Sequence, residues 1–176
     1  MHRRKHSSIG RIVGFHGCDR QVAEKVLEGR EELHTSTNEY DWLGSGTYFW
    51  VDSPTRALNW AKYLYDAGKI SEPYVVGAFI RTGLCLNLLD YGVIDEVRDA
   101  YDGLLDLLNS AGISIPVNKG HRQGFSYERN LDAAVFNYLH DVRQRAGLGA
   151  YETVLGVFEE GDPVYKGACF KDKTHL

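Results

Sequence analysis

His16 and Tyr48 are the side chains of this chain whose types and surroundings most invite chemistry. His16 lies in the apolar run "RIVGFHG" (Arg11–Gly17) and is followed at once by a glycine. An imidazole at a strand end exchanges hydrogen bonds with a ligand hydroxyl. Gly17 lets a ligand approach the main chain, whose N–H and C=O then read a polar group such as a carboxamide. Tyr48 stands in "LGSGTYFW" (Leu43–Trp50), where Gly44 and Gly46 flank a serine and aromatics follow. The glycines let the chain bend, and strand alternation sends Tyr48 and Phe49 to opposite faces. An aromatic face beside exposed main chain seats a flat heteroaromatic ring.

The elements that would position these residues follow from pattern. "RIVGFHG" reads as a buried strand. The next segment sets Val22, Ala23, Val26 and Leu27 on one helical face, with Asp19 as N-cap and Gly29 as stop. Glu31–Trp42 is polar and irregular, a surface loop. "GTYFWV" reads as a strand. A helix follows, with Ser53 as cap, Pro54 in the first turn and Gly68 at the end. Its buried stripe is Ala57, Trp60, Ala61 and Leu64. "PYVVGAFIRTGLCLNLL" reads as strand, turn, strand, with Gly77 marking a bulge or a close backbone approach. Two further helices, at 95–110 and 128–146, carry apolar faces that include Val97, Leu104, Leu108 and Leu131, Val135, Leu139. Between them residues 113–127 read as a loop, and Gly161–Asp162–Pro163 as a turn. The expectation is one α+β domain over 11–176, behind a flexible basic tail over 1–10 that holds Arg3, Arg4 and Lys5.

Bulk composition narrows the classes. The chain has 176 residues, 43% apolar and 25% charged, which is ample for a core. Its formal charge of −4 offers no overall basic field for nucleic acid. No apolar run approaches the ~20 residues of a membrane helix, and no signal-peptide pattern opens the chain. The three cysteines, Cys18, Cys85 and Cys169, are widely spaced and suggest neither a disulfide framework nor zinc. The seven histidines also lack metal spacing. A reducing, cytoplasmic setting is expected.

"FHG", an amphipathic helix, "LGSGTYFW" and "SPTRALNWA", in that order, resemble the ADP-ribosyltransferase superfamily. The likeness is to its poly(ADP-ribose) polymerase and diphtheria-toxin branch, which uses a His-Tyr-Glu triad. It covers roughly residues 12 to 90, and "VVGAFIRTGLCLNL" resembles the strand that follows in that family. The resemblance implies two small packed β-sheets around a central NAD cleft, with flanking helices. It implies that His16 bonds a ribose hydroxyl of NAD, that Gly17 holds the nicotinamide carboxamide, and that Tyr48 stacks on the nicotinamide ring. Gly46, Thr47 and Trp60 complete the expected dinucleotide-binding set; Trp60 falls near a second stacking tyrosine of the family. Where the family often has an amide-holding serine, Arg56 stands here.

The implied activity is transfer of ADP-ribose from NAD, as co-substrate, to a protein or nucleic-acid acceptor with release of nicotinamide. By analogy the chain is a toxin or defence effector, with room for an inhibitory protein partner. The family's acid belongs on a last strand. The choices are Glu160, Glu159 or Glu152, or a final strand beyond "KDKTHL". Glu160 is taken as the catalytic residue with His16 and Tyr48. Asn118–Arg129 mixes Lys119, His121, Arg122 and Arg129 with Phe125 and Tyr127, and is where a macromolecular target would be met. Two rivals stand: a non-catalytic NAD or ADP-ribose binding module, and an RNA 2′-phosphotransferase that would use Arg56, Arg81, Arg122 and Arg129. No metal and no membrane partner is expected.

Overall fold

A computed structural model describes residues 10–122 and 125–176, with the side chains of 121–127 outside the description. The basic residues Arg3, Arg4 and Lys5, and the side chains of His121, Arg122, Phe125 and Tyr127, therefore lie outside the described part. In chain order the elements are β1 (Arg11–Asp19), α1 (Arg20–Leu27), β2 (Trp50–Val51), α2 (Pro54–Asp66), β3 (Pro73–Arg81), β4 (Cys85–Asn87), a 3₁₀ turn (Tyr91–Val93), α3 (Ile94–Ala111), β5 (Lys119–Arg122), β6 (Phe125–Glu128), α4 (Asn130–Arg145), β7 (Thr153–Leu155), β8 (Phe158–Pro163) and β9 (Lys171–His175). The class is α+β, with helices among several small sheets and no barrel. No helix among the described residues is long and apolar enough to cross a membrane.

The chain folds into two compact units that interleave in sequence. The first draws on Ile9–Thr35, Thr47–Thr82 and Val157–Leu176. Its sheet has the order β2-β1-β3, all antiparallel, and β8 pairs antiparallel with β9. The Asp19 carboxylate accepts the Gln21 N–H at 2.9 Å and starts α1. The same carboxylate accepts the Ser71 N–H and hydroxyl at 2.6 and 2.7 Å, so it also fixes the loop before β3. Pro54 opens α2 as expected, but Ser53 makes no side-chain cap bond. The buried face of α2 is Arg56, Ala57 and Ala61. Ala57 and Ala61 are small enough to bring the helix hard against β1. A Cβ on Gly17 would lie 2.1 Å from the Ala57 carbonyl oxygen, so only glycine fits there.

The second unit includes Ser36–Gly46 and Gly83–Gly156. α3 and α4 pack around Leu86, Leu104, Val135, Phe136 and Leu139, beside the parallel pair β4–β7. Leu86 is fully buried, which contributes about 2 kcal/mol. Gly112, in the left-handed region, closes α3 as a helix end requires. Arg143 ties the helices together. It donates to Glu96 at 2.6 Å and lies 4.0 Å over the Tyr151 ring, while the Tyr151 hydroxyl donates to Glu96 at 2.8 Å. Burial and the Glu96 carboxylate push the Tyr151 phenol up, and burial pulls the neighbouring His140 down.

Several expectations are corrected. "GTYFWV" supplies a strand only at Trp50–Val51, because the chain before it leaves the sheet. Gly77 marks no bulge: β3 pairs with β1 in unbroken register, and Gly77 instead faces the Phe15 ring. Gly161–Asp162–Pro163 belongs to β8, with a register irregularity between Glu160 and Pro163, and the turn comes later, at Tyr165–Ala168. The loop read over 113–127 contains the hairpin β5–β6. Trp60 is not in the buried stripe of α2; it is 41% exposed and stacks on Tyr63.

Candidate functional site

The hydrogen-bond alternation of β1 defines the site. At one end of its pairing with β3, the Thr82 N–H donates to the Gly10 carbonyl at 3.0 Å; at the other, the Arg20 N–H donates to the Glu72 carbonyl at 2.9 Å. Between them the register is unbroken, with His16 opposite Val76. Even-numbered residues of β1 therefore bond β3, and odd-numbered ones turn their N–H and C=O toward β2. On that side Phe15 pairs with Trp50, and the Asp52 N–H donates to the Val13 carbonyl at 3.0 Å. The next rung would set Tyr48 opposite Gly17.

That rung is not formed, since β2 begins at Trp50. The Tyr48 carbonyl is taken instead by His16 Nδ1, at 2.8 Å. A carbonyl only accepts, so Nδ1 carries the hydrogen and Nε2 is the ring's other polar atom. Gly17 thus directs its N–H and C=O at an edge from which the next strand has turned away. Phe49 props the imidazole from the side, ring centroids 5.7 Å apart. Gly14 makes room for Phe49: a Cβ at residue 14 would lie 2.9 Å from the Phe49 Cβ.

Beyond this point a second constellation surrounds Trp50. Arg56 is buried at 8% exposure, its guanidinium 4.4 Å over the Trp50 ring. Its Nη2 donates to the Glu160 carboxylate at 3.0 Å. Burial pulls the guanidinium down, and Glu160 and then Asp172 push it back up. Phe158 and His175, directly opposed on β8 and β9, set their rings edge-on to Trp50 at 5.5 and 6.1 Å. Arg56 Nε and His175 Nδ1 are buried without a hydrogen-bond partner among the described residues. The Val51 N–H donates to the Leu176 carbonyl at 2.8 Å, which joins the end of this ribbon to β2. The ion pair links α2 to β8 where little solvent screens it.

The expected site residues are thus distributed as follows. His16, Gly17 and the main chain of Tyr48 meet at one edge of β1. Glu160 meets Arg56. Glu159, its neighbour on β8, is half-buried and opposite Thr174. Glu152 lies in the second unit, where its carboxylate accepts the Leu84 N–H at 3.1 Å beneath Gly83. Gly46 pairs its main chain with Ser36 at 2.9 and 3.0 Å. The Thr47 hydroxyl donates to the His34 carbonyl at 3.4 Å, and Trp60 stands on the outer face of α2. Arg129 lies 5.3 Å over the Trp42 ring.

Sequence reasoning missed Arg56 as the centre of a buried cluster. Its signal was a cation next to Ala57 on the face that carries Ala61. No group of three or more His, Cys, Asp or Glu that would hold a metal occurs among the described residues. The Cys18 thiol is pushed up by burial and by Asp19, which leaves it a poor nucleophile.

No family model matches the chain, and no solved structure matches it. Over 56 residues it is 39% identical to an uncharacterized protein, MJ0359, of Methanocaldococcus jannaschii. That stretch covers 32% of this chain and 25% of the archaeal protein, so the chain spans about a quarter of the relative it matches.

Proposed function

We propose that the chain is an NAD-dependent ADP-ribosyltransferase with an ADP-ribosyltransferase-like fold around the edge of β1. The observation that carries the reading is the diverted carbonyl of Tyr48. It leaves Gly17, itself buried against α2, with a donor and an acceptor side by side on the edge of β1 beyond the last β2 rung. A carboxamide has the complementary pair, so a nicotinamide amide completes the rung that Tyr48 does not. His16 Nε2 then serves a ribose hydroxyl, with the ring's tilt fixed by Tyr48 and Phe49.

In the reaction the bond between nicotinamide nitrogen and the ribose anomeric carbon breaks, and its electrons leave with nicotinamide. An acceptor nucleophile supplies the pair for the new bond to that carbon and gives up its proton. The transition state is rich in positive charge at the ribose. This chain's part is to hold the leaving amide at Gly17, to orient the sugar through His16 and to stack the ring on Tyr48. Glu160 is the acid assigned to the developing charge. A second reading is favoured by one observation: Glu160 is engaged with Arg56. In that reading the module binds NAD or ADP-ribose without cleaving it.

The test is incubation of the protein with labelled NAD and a cell lysate, with nicotinamide release and label transfer both followed. Separate nuclease and protease digestion then identifies the acceptor as nucleic acid or protein. Nicotinamide release with transferred label supports the transferase. NAD binding without release selects the binding module. Turnover of a 2′-phosphorylated RNA instead of label transfer rejects both in favour of phosphotransfer.

A further inference from the structure

β3 is the end of its sheet, with β1 on one side. Its even-numbered residues bond β1, by the same alternation that governs the site. Val75, Gly77 and Phe79 therefore send their N–H and C=O outward. Among the described residues no strand pairs with that outer side. Protein edges are commonly guarded by charge, by an interior proline or by a bulge. β3 carries such features only at its ends: its charged residue, Arg81, is its last and its proline its first, no charge falls between them, and its register is regular. Phe79 is 86% exposed.

We propose that β3 is the interface of a symmetric dimer of this chain, in which two copies of the strand pair antiparallel about a two-fold axis at Gly77. The strand is self-complementary in that register. Gly77 meets Gly77 of the second copy, and Val75 meets Phe79 at both ends. Every outward residue faces an outward residue, so all of these rungs are hydrogen-bonded pairs. No charge opposes another across them, and the exposed Phe79 gains an apolar neighbour. The axis falls on the one residue of the strand with no side chain. There the Phe15 ring already leans over the backbone, 3.2 Å from where a Cβ would be, and its counterpart would approach across the axis. A closed two-fold contact of this kind uses one patch twice and leaves no further edge to extend.

A strand edge is small beside the roughly 1,600 Å² of a standard interface, so association is expected to be micromolar. Sedimentation velocity on the full chain from ~1 to ~100 µM tests it. The expected result is a shift from 19.8 kDa toward twice that mass. Phe79→Lys removes the apolar contact without disturbing the interior. It should weaken dimerisation at least about tenfold while the melting temperature measured at low concentration holds. Gly77→Cys, in a Cys169→Ser background, should form a disulfide with its own counterpart under mild oxidant. Paired residues in such a rung stand about 5.5 Å apart at Cα, within disulfide reach. The Phe15 ring must yield a few tenths of an ångström for that cysteine, and a melt of the reduced variant checks that it does. A monomer throughout the concentration range overturns the proposal. So does a dimer that ignores Phe79→Lys and does not cross-link at residue 77.

Discussion

His16 acts on the backbone before it acts on any ligand. Its Nδ1–H fixes the Tyr48 carbonyl, and only then is the other ring nitrogen aimed. On the proposed reading, His16→Ala should weaken productive NAD binding while leaving the fold intact, because the ring is only half-buried. A large loss of melting temperature would make the residue a core support instead. On the same proposed reading, Tyr48→Ala should lower turnover at least about tenfold, since stacking and leaving-group geometry would be lost together. Unchanged turnover in a folded variant removes the proposed role. Asp19 makes a different prediction. The Ser71 hydroxyl and N–H, with the Gln21 N–H, hold its carboxyl down to about 2. Its stabilising effect is thus complete above the ordinary carboxylate range and is lost as pH falls toward 2. Thermal melts from pH 5 to pH 2 should show a falling acid limb, and Asp19→Asn should flatten it. The Asp19 cap was legible because capping chemistry is local. The bond between His16 and Tyr48 was not, because it joins a side chain to main chain far along the sequence, and residue types carry no record of where a carbonyl points.

Among the elements, α2 shows what periodicity reveals and what it hides. Its extent and its small buried residues Ala57 and Ala61 follow from pattern and from the Pro54 start. Its facing does not: the apolar stripe includes Trp60 and leaves out Arg56, whereas Arg56 is buried and Trp60 is exposed. Arg56 is inside because a flat guanidinium packs over Trp50 and pairs with a carboxylate on β8, while Trp60 finds Tyr63 on the surface. Arg56→Met should cost about 3 kcal/mol, for it leaves the Glu160 carboxylate without its cation in a place with little water. Adding Glu160→Met should recover a large part of that loss, which a double-mutant cycle of urea melts would read. Gly17→Ala should cost about 1–3 kcal/mol, because the new Cβ meets the Ala57 carbonyl and α2 must back away from β1. The strand shortened to Trp50–Val51 was hidden for the same reason as the site: aromatic residues suit a strand, and only the competing bond from His16 tells that the pairing stops.

At the scale of the molecule, composition gave a core and an α+β mixture but not two units interleaved in sequence. Contacts far apart along the chain decide that division, and no window of sequence contains them. Each unit repeats one device: a buried arginine lies over an aromatic ring and pairs with a glutamate. Arg56, Trp50 and Glu160 do so in one, and Arg143, Tyr151 and Glu96 in the other. Both arginines are 8% exposed. Tyr151→Phe deletes the hydroxyl that donates to Glu96 and should loosen the second unit. Hydrogen exchange should then speed up in α3 and α4 while β1 and β3 keep their protection. Equal acceleration in both would mean that the units share one cooperative transition.

The unmade rung at Gly17 sets durability against use. A β-branched residue at position 16 would release the Tyr48 carbonyl, and the ladder would then be free to zip toward the end of β1. Such a variant, His16→Val, should melt higher than the parent and, on the proposed reading, lose its grip on the dinucleotide. Under that proposal, screening this protein for heat tolerance alone would tend to select forms that no longer hold the dinucleotide.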